Sequence, residues 1–147
     1  MVYQIQRESG RIRVEFSSVP DLLTQAIRSI HNFLKESGVS QTLDIKLVLR
    51  ELGTNAVRHG NNGDPARRVV LQVSFEEQGY ARIEVADEGE GFDYKSLEMD
   101  PPTQFRQIHD RGYKIVHALT ERLEFNEAGN RVTVWVPAER RNRAETG

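Results

Sequence analysis

Glu51, Asn55 and His59 recur at every fourth position within the segment from Leu49 to Gly60. An α-helix turns once in about 3.6 residues, so side chains spaced by four line up along one stripe. The opposite side of the same segment carries Ile45, Val48, Leu49, Leu52 and Ala56, which are apolar and require burial. A carboxylate and an amide aligned beside a core-facing surface can accept a proton and offer oxygen to a hard cation such as Mg²⁺. Glu51 is the candidate general base or water-mediated metal ligand, and Asn55 the candidate neutral ligand. Polar helix faces are common, and taken alone the stripe reads more readily as a solvated face.

Two further segments carry chemistry. From Val85 a strand runs into Asp87, followed by Glu88-Gly89-Glu90-Gly91-Phe92. A strand-end aspartate can accept a hydrogen bond from an exocyclic amine such as that of adenine, and glycines beside it let backbone approach a flat ring. A tight turn with solvated acids produces the same residues. The other segment, His109-Asp110-Arg111-Gly112-Tyr113-Lys114, places glycine before a helix, where free N–H groups and the helix dipole favour an anion. Arg111 and Lys114 add positive charge there. Asp110 acting as an N-cap accounts for the same pattern.

Composition narrows the classes. A chain of 147 residues closes one core without staples, and the formal charge of −2 gives no electrostatic case for broad nucleic-acid or membrane binding. With no cysteine, disulfides, thiolate catalysis and cysteine-ligated zinc are excluded. Residues Met1 to Gly10 lack the apolar core of a signal peptide, and no apolar run approaches the roughly 20 residues that span a bilayer. A cytoplasmic domain is expected.

The elements that must position these residues are legible in part. Ile12, Val14 and Phe16 alternate with charges as a half-buried strand does. Ser17-Ser18 and Pro20-Asp21 open a helix that Gly38 stops, and Ser40 begins the helix of the polar stripe, ending at His59-Gly60. Residues 69–75 and 80–86 read as an antiparallel hairpin across Glu77-Gln-Gly79. Regularity fades from Asp87 to Asp110, the pattern of a functional lid. Helical spacing resumes over 111–120, and strands follow around Leu123-Phe125 and Val132-Val136. Ala138–Gly147 is charged and expected to fray. The fold class is α/β (α+β): a mostly antiparallel, mixed sheet covered on one face by about three helices, forming a single domain over 1–137.

Together and in this order, the three segments resemble the GHKL (Bergerat-fold) ATP-binding superfamily. Glu51 to His59 looks like its N box, Asp87 to Phe92 like its first glycine box, and Arg111-Gly112 like its second. Within it the chain is similar to the anti-sigma-factor serine kinases of bacterial partner-switching systems. The resemblance implies ATP and Mg²⁺ as cofactors, with Glu51 polarising the substrate serine and Asn55 coordinating Mg²⁺. It places Asp87 on the adenine amine, and His59, Gly89, Gly91, Phe92, Arg111, Gly112 and Tyr113 around the nucleotide, under a lid spanning about 92–110. The partners it implies are a STAS-domain antagonist carrying the serine and a sigma factor, with homodimerisation through the first helix or N-terminal strand. A non-catalytic interaction module of the same fold is the alternative.

One position departs from that pattern. The second box usually has glycine two places before Gly112, where this chain has Asp110. Unit charges ~4 Å apart interact by roughly 4 kcal/mol at intermediate dielectric, so a carboxylate facing triphosphate weakens binding. Asp110→Gly is therefore expected to tighten ATP binding several-fold in a nucleotide titration. Equal affinities would show that Asp110 does not repel the phosphates.

Overall fold

The computed structural model describes residues 1–91 and 113–141, with side chains in the second stretch from Ile115 onward. The elements run β1 (Tyr3–Glu8), β2 (Arg11–Ser17), α1 (Pro20–Glu36) and α2 (Leu43–Asn55), which continues into a π-helical turn (Ala56–Gly60). Next come β3 (Arg68–Glu76), β4 (Tyr80–Asp87), α3 (Tyr113–Leu119), β5 (Arg122–Phe125) and β6 (Arg131–Pro137). The strands form one sheet in the order β1-β2-β3-β4-β6-β5. Each neighbouring pair is antiparallel, so the sheet is antiparallel as expected, and no parallel pair occurs among the described residues.

Alternation decides which face is covered. Val14, Leu71, Val85 and Val132 sit side by side across four strands and are all buried. Ile12, Val73, Ile83 and Val134 form a second such row. Onto these rows pack Leu23, Ile27, Ile30 and Leu34 of α1 and Ile45, Val48, Leu49 and Leu52 of α2. The period-2 pattern of the strands and the 3.6 pattern of the helices thus meet in one core. The other sheet face is polar: Arg13 pairs with Glu15, Arg82 with Glu84 and Arg122 with Glu124.

Several boundaries differ from the sequence reading, each for a local reason. β1 was not anticipated, because its residues are mostly exposed and polar; it forms as an edge strand because the Ser9-Gly10 turn folds it back along β2. Ser17 and Ser18 do not cap α1. They are buried, Ser17 Oγ accepting from Val2 N–H and Ser18 Oγ donating to the Val57 carbonyl, while Val19 flanks the helix and Pro20 starts it. α2 begins at Leu43 rather than Ser40, because Val39 is held extended in a bridge to Arg140. Its last turn widens to π, with Asn61 N–H reaching the Ala56 carbonyl five residues back.

The tail is a further correction. Ala138 is only 4% exposed and its N–H bonds the Gly79 carbonyl, while Arg141 N–H bonds the Gly38 carbonyl. Arg140 lies over the Phe75 ring at 4.3 Å, and Phe75 in turn stacks on Phe33 of α1. Residues 138–141 are therefore a strap across the C-terminal end of α1. Residues 142–147, the expected lid at 92–110, and Arg111 and Gly112 lie outside the described residues. Truncation after Pro137 is expected to lower stability by about 1–3 kcal/mol in urea unfolding, from lost hydrogen bonds and burial offset by the entropy of ordering four residues. A frayed tail would leave the midpoint unchanged.

Candidate functional site

The site forms where three chain segments converge: the π turn after α2, the end of β4, and the turn between β5 and β6. Asp87 ends β4, its N–H bonded to the Asn130 carbonyl at 3.0 Å. Its carboxylate Oδ1 accepts the Gly89 N–H at 2.8 Å, which fixes the plane of the group. Gly60 lies directly against that carboxylate, and a Cβ at Gly60 would fall inside it. A Cβ at Gly89 would overlap the Gly60 carbonyl in the same way. The two glycines therefore permit an approach that no other residue allows.

Asn61 locks this junction. It is fully buried, its Nδ2 donating to the Arg68 carbonyl at 2.9 Å and its Oδ1 accepting the Glu88 N–H at 2.9 Å. One amide thus ties the π turn to the start of β3 and to the residue after Asp87. Across the cleft, Asn126 Oδ1 accepts N–H groups from Gly129, Asn130 and Arg131 and holds the β5–β6 turn. Asn130 Nδ2 then reaches the Gly89 carbonyl at 3.0 Å. Gly91 adopts a φ of 91°, and a side chain there would collide with the Ala128 carbonyl.

Between these segments lies a cavity of about 60 Å³ whose lining includes Leu52, Asn55, His59, Asp87, Phe125 and Val132. Apolar Leu52, Val85, Phe125 and Val132 share the lining with the oriented Asp87 carboxylate, with Asn55 and His59 on the α2 side and with Asn130 and Arg131 on the β5–β6 side. That is the composition expected of a pocket for a flat heteroaromatic ring bearing an exocyclic amine. The Asp87 carboxylate is an acceptor for such an amine, and Gly60 and Gly89 leave room for backbone beside it.

Four expected site residues, Asn55, His59, Asp87 and Gly91, line this cavity, and Gly89 contacts Asp87 directly. Glu51 is not among the lining residues; it lies one turn earlier on α2 and is half-buried. The alignment of Glu51, Asn55 and His59 is looser than a straight stripe. Each step of four advances the side chain by about 40°, and the π turn displaces His59 further. α3 (Tyr113–Leu119) lies within the span where helical spacing resumes. Phe92, Arg111, Gly112 and the Tyr113 side chain lie outside the described residues. Residues the sequence reading passed over are Gly60, Asn61, Phe125 and Asn130. Asn61 stands in a run of turn-forming residues, and only its burial reveals the bridge. His31 lies on α1, where loss of hydration, then the charges of Lys46 and Lys35, lower its pKa.

A carboxylate at a strand end, a glycine cradle and a helix beside a small cavity thus meet at one end of an antiparallel sheet covered by helices. Residues 16–136 match the histidine kinase-like ATPase domain, and the chain belongs to this family. The match spans Glu51–His59 and Asp87–Gly91 alike and begins inside β2. ATP binding is the property this family implies. A comparison with curated proteins finds no match. Among the described residues, no helix is long and apolar enough to cross a membrane.

Asn61→Ala leaves the Arg68 carbonyl and the Glu88 N–H without their buried partner. Unsatisfied buried groups cost about 1–3 kcal/mol each, so a loss of roughly 2–6 kcal/mol in denaturant unfolding is expected. A variant as stable as wild type would show that water replaces the amide at no cost.

Proposed function

We propose that this protein is an ATP- and Mg²⁺-dependent protein serine kinase that acts as an anti-sigma regulator in partner switching. It would phosphorylate a serine of a STAS-domain antagonist, bind a sigma factor and work in the cytoplasm. The observation that carries the reading is one arrangement. The Asp87 carboxylate, oriented by Gly89 N–H, faces a cavity that Asn55 also lines, and a half-buried carboxylate, Glu51, stands one helical turn further along α2.

Each residue has a defined task. Asp87 accepts a hydrogen bond from the adenine amine, while Leu52, Val85 and Phe125 bury the ring. Asn55 would hold Mg²⁺ through its side-chain oxygen, since a hard cation takes oxygen ligands. Bound Mg²⁺ supplies charge neutralisation at the phosphates. On the family pattern Arg111 and Gly112 meet the phosphates as well. Glu51 orients the acceptor serine and takes its proton as the serine oxygen bonds to the γ-phosphorus. The bond from that phosphorus to the bridging oxygen breaks, and ADP leaves. Phosphoryl transfer asks a protein mainly to position groups and balance charge, and these residues suffice for that.

Incubation of the protein with γ-labelled ATP and purified STAS-domain proteins from the source genome tests the reading. Labelled serine is expected, with Glu51→Ala slowing transfer by about 10²–10⁴-fold while ATP affinity stays within a factor of roughly three. Transfer at the wild-type rate in Glu51→Ala removes Glu51 from the chemistry. ATP binding with no labelling of any such protein points instead to a non-catalytic interaction module.

A further inference from the structure

The β5–β6 turn carries a chain of two amides that ends on the glycine loop of the site. One side-chain atom of Asn126 meets three backbone N–H groups, so it is the oxygen, and Asn126 Nδ2 points the other way. There it donates to Asn130 Oδ1 at 2.7 Å. The same logic orients the second amide. With its oxygen facing Asn126, Asn130 presents Nδ2 to the Gly89 carbonyl at 3.0 Å. The Asn130 carbonyl also accepts the Asp87 N–H, so one residue holds the strand end through its main chain and the loop through its side chain.

Gly89 is the residue on which this chain acts. Its N–H donates to Asp87 Oδ1 at 2.8 Å, and its carbonyl accepts from Asn130. The ladder between β3 and β4 ends at the Val69–Asp87 pair, so Gly89 lies beyond its hold. Glycine has the widest backbone freedom of any residue, and a bond on each of its two peptide groups removes that freedom here. We infer that Asn130 is a positioning residue for recognition of the base. By holding the Gly89 carbonyl it keeps the Gly89 N–H on Asp87, and thereby keeps the carboxylate aimed at the exocyclic amine. Asn126 sets which way the Asn130 amide faces. The inference rests on the reading of Asp87 as acceptor for the adenine amine, and on no kinase step. Asparagine suits the position because its oxygen and nitrogen serve opposite partners. An isosteric aspartate would set a second acceptor against the Gly89 carbonyl, with no proton between the two oxygens.

The test titrates the full chain with ATP and with purine riboside triphosphate, which lacks the 6-amino group. Wild type is expected to prefer ATP by roughly tenfold or more, as a hydrogen bond to a charged acceptor gives. In Asn130→Ala and Asn130→Asp the preference is expected to shrink to roughly threefold or less, through weaker ATP binding with affinity for the purine analogue little changed. Asn126→Asp keeps the oxygen that holds the turn but turns another oxygen toward Asn130. It is expected to reverse the Asn130 amide and shrink the preference likewise, although Asn126 is exposed and does not line the cavity. Urea unfolding of each variant reports whether the fold is intact. A merely structural role would weaken both nucleotides alike, so a wild-type preference in the Asn130 variants overturns the inference, whatever their absolute affinities. A wild-type preference in Asn126→Asp overturns the relay through Asn126. Equal binding of the two nucleotides by wild type overturns the reading of Asp87 itself, and the role of Asn130 with it.

Discussion

The contact among Gly60, Asp87 and Gly89 is the constraint on which the site depends. Two backbone segments, at Gly60 and at Asp87–Gly89, meet at one carboxylate, closer than any side chain would permit. The π turn makes this meeting geometrically available: widening the last turn of the helix carries Gly60 onto the end of β4. Asn61 then fixes the turn to β3 and to Glu88 with two hydrogen bonds in a buried setting, where leaving either partner unmade is costly. The aspartate is therefore held in place before any ligand arrives, and preorganisation of this kind lowers the ordering cost of binding.

The rest of the fold serves that junction. The row Val14, Leu71, Val85 and Val132 leads across the sheet to Phe125, so the wall of the cavity is the edge of the hydrophobic core itself. α2 lies on this core through Ile45, Val48, Leu49 and Leu52, and burial of those residues sets the rotation of the helix about its axis. With the rotation fixed, Asn55 is brought to the cavity and Glu51 is left at its margin. The different placement of Asn55 and Glu51 on one helix follows from packing on the far face.

Much of this was legible in the residues. Alternation in β2, β3, β4 and β6, the hairpin across Gly79, and the apolar arc of α2 were all readable, because each is a local pattern with its own period. So was the pairing of Glu51–His59 with Asp87–Gly91, which resembles a known order of motifs. The edge strand β1 was not, since an exposed polar strand carries little apolar signal and owes its form to the ladder with β2. Neither was the strap at Ala138–Arg141, whose charged sequence reads as a loose end until Phe75 and Gly38 supply its partners.

By itself, the sequence determined which residues carry charge, which faces must be buried and which glycines stand beside Asp87. Those properties are set by residue type and by spacing along the chain. The tertiary structure decided which of them meet. It showed that Gly60 belongs to the aspartate site, that Asn61 is a buried bridge and not a simple turn, and that Glu51 stands outside the cavity that Asn55 lines. The physical reason is that Gly60 meets Asp87 and Asn61 meets Glu88 across 27 positions of chain, through a π turn and a sheet register. No local period encodes such distances, and only the packed core enforces them.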